Sequence, residues 1–208
     1  QGYSSGQAMS EIKKIADNLP SGTTYSWSGI SYQQQMAGSN SVSLYAISII
    51  VVFLCLAALY ESWSIPISVI MVIPLGVLGA IAAITIRGLD NDVYLQVALL
   101  TTIGLSSKNA ILIVEFAEIA LKNGTTLIES IKLATKERLR PILMTSFAFM
   151  AGILPLAIAT GAGANSRIAI GTGILGGTFA GTILSIFFVP IFFYIVKFIS
   201  IKKNKNWF

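Results

Sequence analysis

The stretch TTIGLSSKNAILIVEF, Thr101–Phe116, is apolar enough for a membrane-spanning helix, yet Lys108 and Asn109 lie in its middle. It belongs to a longer apolar segment, Val93–Leu121, which exceeds the roughly 20 residues that cross about 30 Å of hydrocarbon. Lys108 comes about 15 residues, or roughly 22 Å of helix, into that segment. The lysine is therefore predicted near mid-membrane, where inserting it costs about 2.5–3.5 kcal/mol.

The composition of the 208-residue chain also indicates a membrane protein. Hydrophobic residues make up 54% and charged residues 11% of the sequence, whereas a soluble domain carries about 25% charged residues. The net charge of +5 does not indicate nucleic-acid binding, because most lysines and arginines lie beside apolar segments. We therefore predict a mainly α-helical, polytopic membrane protein with no nucleic-acid partner.

Five apolar segments are long enough to span a membrane. They are about Val42–Tyr60, Ile65–Ile86, Val93–Leu121, Pro141–Thr160 and Ile168–Ile199. Residues 125–140 mix apolar and charged side chains at helical spacing, which predicts an amphipathic cytoplasmic helix that contacts either lipid or protein. The five spans and this helix form a predicted transmembrane domain, 41–201, followed by a cytoplasmic tail, 202–208.

The first 40 residues are polar and are predicted to form a separate, water-exposed piece. SSGQAMSEIKKIADNLP has one apolar helical stripe, and Pro20 follows it. TTYSWSGI alternates, with Tyr25 and Trp27 on one side, which predicts a half-buried strand. One helix and one strand cannot close a core, so we expect residues 1–40 to be the end of a larger α/β domain. With no apolar signal segment at its start, the sequence is expected to begin within a longer protein.

Positive charges predict the orientation in the membrane, because cytoplasmic loops carry an excess of lysine and arginine. One cluster separates the third and fourth spans: Lys122, Lys132, Lys136, Arg138 and Arg140. A second follows the fifth span: Lys197, Lys202, Lys203 and Lys205. We therefore predict that the N-terminal segment lies outside the cytoplasm and the C-terminus inside it.

The sequence offers few groups for catalysis or metal binding. It has no histidine, and Cys55 is the single cysteine, which argues against a histidine-based catalytic site, a metal centre or an internal disulfide. We expect neither an enzyme nor a bound cofactor. Small residues at four-residue spacing, Gly173, Gly177 and Gly181, predict close helix packing, either within the bundle or in a dimer.

A lysine buried in hydrocarbon needs a counter-charge or a wet cavity. Glu115 is two helical turns from Lys108, and Asp90 and Asp92 lie at the far end of the span. The partner is therefore expected on another helix or another chain. By themselves, Asn109 and Thr145 are weak candidates.

Longer motifs resemble a known family. LYAISIIVVFLCLAALYESWSIPISVIMVIPLGVLGA, GLDNDVYLQVALLTTIGLSSKNAILIVEFA and RLRPILMTSFAF are similar to the resistance-nodulation-division family, in its AcrB-type multidrug efflux branch. The resemblance implies the C-terminal portion of a twelve-span inner-membrane transporter of Gram-negative bacteria, with residues 1–40 at the end of a periplasmic porter domain. It also implies a homotrimer that exchanges protons for amphiphilic drugs, contacts membrane lipids, and works with a periplasmic adaptor and an outer-membrane channel.

The same resemblance implies roles for individual residues. Lys108 matches the family's proton-relay lysine, Thr145 its relay threonine and Arg138 its relay arginine, with Asn109 a weaker candidate beside the lysine. The paired aspartates of that relay have no counterpart in this chain. Three alternatives stay open: a structural membrane module, a protein-export accessory of the same superfamily and a metal-exporting relative.

Overall fold

The computed structural model describes the backbone of residues 5–20, 22–89 and 92–205. Side chains within these ranges are described from residue 8 onward, except at 30, 34, 37–45, 64 and 200–205. The described backbone contains seven α-helices: α1 Ser5–Ala16, α2 Gly29–Tyr60, α3 Ser64–Ile70, α4 Ile73–Ile86, α5 Val93–Lys122, α6 Leu127–Ala157 and α7 Ala164–Lys205. The chain is mainly α-helical, as predicted.

Four helical segments are long and apolar enough to cross a membrane: Ile65–Ile86, Val93–Lys122, Leu127–Ala157 and Ala164–Ile199. They correspond to the second to fifth predicted spans and identify an integral membrane protein. The first predicted span, about 42–60, lies within α2, where the described apolar part is the shorter segment Ala46–Tyr60. Residues 42–45 of that span lie outside the described side chains, so a count of five spans stays a prediction.

The predicted amphipathic helix and the fourth predicted span form one continuous helix, α6, which passes through Pro141. The helix begins with a capping box, in which Thr126 Oγ1 accepts the Glu129 N–H and the Glu129 carboxylate accepts the Thr126 N–H. Ala134 and Ile142 lie on either side of the proline and are both fully buried in the same core. Packing on both sides of Pro141 explains why the helix does not end there.

The second predicted span is interrupted at Met71 and Val72, between α3 and α4. Pro74 has no N–H and cannot donate to the carbonyl of Ile70, so the regular helical ladder stops there. The Met71 N–H still makes a regular bond to the Ile67 carbonyl at 3.1 Å, whereas the Val72 and Leu75 N–H groups bond three residues back, to Val69 at 3.2 Å and Val72 at 3.0 Å. The backbone then re-enters a helix after half a turn.

The predicted strand is not confirmed, because residues 23–28 have no regular secondary structure and no strand occurs in the described part of the chain. The alternation of TTYSWSGI is nevertheless visible, since the Tyr25 and Trp27 rings contact each other edge to face at 6.0 Å. A strand requires a hydrogen-bonding neighbour, and alternation within one segment does not supply one. The chain enters α2 at Gly29, whereas α1 forms where a helix was predicted.

Helix α7 is the centre of the bundle and contacts α3, α4, α5 and α6. Its glycine row packs against α5: a Cβ added to Gly173 would lie 2.7 Å from Ala98 Cβ, and one on Gly181 would lie 2.5 Å from Ser106 Oγ. On the neighbouring face, a Cβ on Gly176 would lie 2.9 Å from the Gly79 carbonyl of α4. The row therefore serves packing within this chain, which was the first of the two predicted roles.

We expect Gly177→Ala to destabilise the bundle by roughly 1–3 kcal/mol, because the new methyl would overlap the rigid, β-branched side chain of Thr102. The measurement is thermal unfolding of the detergent-solubilised protein. Gly152→Ala is the matched control, since a Cβ there has no neighbour within 4 Å among the described atoms. Adding Thr102→Ala to Gly177→Ala should restore part of the loss. Equal melting temperatures for the two glycine variants would contradict this packing account.

Candidate functional site

Helix α5 places Lys108 and Asn109 on different sides. The helix begins at Val93, and the preceding Asp92 caps its first turn through Oδ1, which accepts the Leu95 N–H at 3.0 Å. Consecutive residues of an α-helix differ by about 100° in direction. Asn109 consequently points into the bundle, where it is 5% exposed, and Lys108 lies on the exposed side of α5. The open face thus carries the charge and the packed face carries the amide.

The described ion pairs do not include Lys108. They join Lys14 to Glu11 and Lys197 to Glu118. Glu115, on the same helix, lies about 10 Å further along the axis. The expectation that the partner of Lys108 belongs to another helix or chain therefore stays a prediction that the geometry permits.

A cavity of about 90 Å³ brings three of the four predicted relay residues together. Lys108, Asn109 and Thr145 all form part of its wall. The remaining lining residues are Leu105, Ser146, Phe149 and Thr178. Helices α5, α6 and α7 each contribute polar groups, so the wall of this cavity is partly polar within otherwise apolar, membrane-length helices.

Hydrogen bonds fix two hydroxyl groups of this wall. Thr145 Oγ1 donates to the Ile142 carbonyl at 3.1 Å, a bond within its own helix. Ser146 Oγ accepts from Thr182 Oγ1 at 2.9 Å, and this bond links α6 to α7. Thr145 keeps its oxygen lone pairs as acceptors, and Ser146 keeps its own proton as a donor.

Arg138, the fourth predicted residue, does not line the cavity. It lies two helical turns before Thr145, which is about 10 Å along α6. Its guanidinium carbon is 4.4 Å from the centroid of the Phe116 ring of α5, a cation–π contact. Its buried Nε has no hydrogen-bond partner among the described residues. Arg138 therefore contacts the helix that carries Lys108 through an aromatic ring, away from the lysine itself.

A second, larger cavity of about 350 Å³ adjoins Lys108 on the other side. Helices α2, α3, α4 and α5 line it, mostly with apolar side chains such as Val52, Ile73 and Ile103. Among the described lining residues, Lys108 is the charged one. The lysine therefore lies between a cavity with a partly polar wall and one with a mostly apolar wall.

Three features near this site were not predicted from the sequence. Glu118 and Lys197 form an ion pair in which the ammonium donates to both carboxylate oxygens, at 2.8 and 2.9 Å. Thr178 lines the cavity, and Thr182 bonds to Ser146. Thr178, Thr182 and Ser185 recur every three to four residues, a helical spacing that could have indicated a polar face on α7.

Comparison with known proteins identifies the family. The sequence model of the AcrB/AcrD/AcrF family matches residues 1–197. The chain belongs to this family. The resemblance predicted from the motifs is thereby confirmed.

Individual relatives are similar over nearly the whole chain. The toluene efflux pump membrane transporter TtgB of Pseudomonas putida is 57% identical over 196 residues, 94% of this chain. The multidrug resistance protein MdtF of Escherichia coli is 57% identical over 205 residues, 98% of this chain, and the multidrug export protein AcrF of the same species is 54% identical over 197 residues, 94% of this chain. These matches cover 19%, 20% and 19% of the relatives, so the chain spans about a fifth of their length.

We expect Glu118→Gln to destabilise the contact between α5 and α7 by about 1–3 kcal/mol, because it leaves the largely buried Lys197 ammonium without its counter-charge. Thermal unfolding in detergent measures the change. Glu11→Gln is the control: it breaks the exposed ion pair between Glu11 and Lys14 and should have little effect on the melting temperature. The double variant Glu118→Lys with Lys197→Glu should recover stability. If Glu118→Gln melts like Glu11→Gln, the pair does not join the helices energetically.

Proposed function

We propose that this chain is part of a proton-driven multidrug efflux transporter and contributes the lysine side of its proton relay. The observation that carries the proposal is the shared cavity of Lys108, Asn109 and Thr145 within membrane-length helices. The relatives' names, which describe toluene efflux, multidrug resistance and multidrug export, support drugs as the cargo. A charged side chain at this depth is costly, so a functional role is favoured.

The relay works through a change of partner. With a pair of aspartates ionised on a helix outside this chain, the Lys108 ammonium pairs with them across the open face of α5. Protonation of the aspartates removes the attraction, and the ammonium turns to the oxygens of Asn109 and Thr145 on the cavity side. Because the two states differ in charge at one site, proton occupancy shifts the equilibrium between two helix arrangements.

Arg138 has a separate place in this scheme. Its cation–π contact with Phe116 holds α6 against α5 toward the C-terminal end of α5. We propose that it affects proton passage at that end and does not exchange partners with Lys108. The Glu118–Lys197 pair joins α5 to α7 toward the same end.

The same proposal includes the location of the transporter and its partners. The transporter lies in the inner membrane of a Gram-negative bacterium, with the N-terminal segment periplasmic and the C-terminus cytoplasmic. It forms a homotrimer, works with a periplasmic adaptor and an outer-membrane channel, and exports amphiphilic drugs without a bound cofactor. The proton motive force supplies the energy.

Lys108→Ala in a full-length transporter that carries this sequence should reduce proton-driven drug export to the level of cells without the transporter. The reason is that the mid-membrane aspartates lose the Lys108 ammonium, whose position changes when they are protonated. The measurement combines drug accumulation in cells with proton flux in proteoliposomes.

Lys122→Ala, on the exposed end of the same helix, is the matched control and should export normally. Normal export by Lys108→Ala would overturn the relay and favour a structural membrane module. If the transporter exports metal ions or protein in place of drugs, and Lys108→Ala abolishes that export, the chain belongs to a metal exporter or to a protein-export accessory.

A further inference from the structure

Thr178 presents an unusual buried group at the cavity behind Lys108. The residue is 3% exposed, yet its Oγ1 has no hydrogen-bond partner among the described residues. It lines the same cavity as Lys108, Asn109 and Thr145. An unpaired hydroxyl in an apolar environment costs free energy, so a partner within the cavity is favoured.

The cavity has room for water and several polar groups in its wall that can bind it. Its volume of about 90 Å³ leaves room for several molecules, since one water needs roughly 10–15 Å³ of such space. A buried water also needs two to four polar partners. The wall offers the Lys108 ammonium and the Ser146 hydroxyl as donors, Thr145 Oγ1 as an acceptor, and the Asn109 amide and Thr178 hydroxyl as both.

We propose that this cavity is a water site and that Thr178 is the positioning residue that holds its water within hydrogen-bonding reach of the Lys108 ammonium. Water bonded to Thr178 remains on the α7 side of the cavity, opposite α5. When the Lys108 ammonium moves away from a carboxylate, it then enters a hydrated position and not hydrocarbon. This lowers the free-energy cost of the movement. The proposal rests on the proposed relay for its effect on transport, but hydration of the cavity is independent of it.

Thr102 is a matched control, because it also has a buried hydroxyl without a partner in the described part of the chain but does not line this cavity. Its Oγ1 is buried and has no partner among the described residues, and its side chain packs against Gly177. Thr102→Val replaces the hydroxyl with a methyl of similar size and should raise thermal stability while transport stays unchanged. If the surroundings of Thr178 are dry, Thr178→Val should behave in the same way.

The test compares Thr178→Val, Thr178→Ser and Thr102→Val in the full-length transporter. Water is detected by hydroxyl-radical footprinting at Phe149, an aromatic ring in the cavity wall. Proton-coupled transport is measured in proteoliposomes. We expect Thr178→Val to lower the labelling of Phe149 and to slow transport about three- to tenfold, as loss of one hydrogen bond would. Thr178→Ser keeps the hydroxyl and should retain both labelling and transport.

The outcomes separate the two proposals. Unchanged labelling and transport in Thr178→Val, with stability raised as in Thr102→Val, would overturn the water site even if Lys108→Ala abolishes export. Reduced labelling in Thr178→Val together with normal export by Lys108→Ala would support the water site and overturn the relay. If Thr178→Val does not assemble, Thr178→Cys gives the same comparison, because a thiol is a poor hydrogen-bonding group of smaller size.

Discussion

Close backbone contact between α7 and its neighbours is the constraint on which this bundle depends. In hydrocarbon there is no hydrophobic force between helices, so association relies on packing and on hydrogen bonds between them. Gly176 and Gly79 bring the backbones of α7 and α4 together, and the Gly173 row brings α7 onto α5. Close approach leaves room only for short side chains at the interface, and many of these are serine and threonine. The partly polar cavity behind Lys108 is therefore a consequence of how the helices pack.

Apolar length and glycine spacing were enough to predict most of the fold from the sequence. Spans of about 20 apolar residues are predictable because hydrocarbon leaves no other way to satisfy the backbone. The predicted secondary structure was wrong where the conformation of a segment depends on a neighbouring segment. Residues 23–28 alternate as a strand would, yet a strand also needs a neighbour. At Pro141 the helix continues because Ala134 and Ile142 pack into one core, a contact that local sequence does not reveal.

The candidate site was only partly predictable for a related reason. Lys108 could be identified from the free-energy cost of placing a charged side chain at mid-membrane, because a lysine at that depth is rare without a functional role. Asn109, Thr145 and Arg138 gained meaning only through the family resemblance, and the structure groups the first two with Lys108 but not the third. Thr178 lies 70 positions from Lys108 in the chain. Its spacing with Thr182 and Ser185 indicates a polar face on α7, but only the packing of α7 against α5 and α6 shows that this face reaches the cavity.

Helix α5 divides the surroundings of Lys108 into two environments. Its open face exposes the ammonium toward the apolar cavity beside α2, and its packed face leads to hydroxyl and amide groups on α6 and α7. An ammonium on the open face alone would be stable only while a carboxylate faces it. In the proposed relay, the cavity that Lys108 shares with Asn109 and Thr145 offers the ammonium a second position that needs no counter-charge, since neutral oxygens can accept its protons. Two positions of similar free energy are what a proton-sensitive switch requires, because a small change in charge can then decide between them.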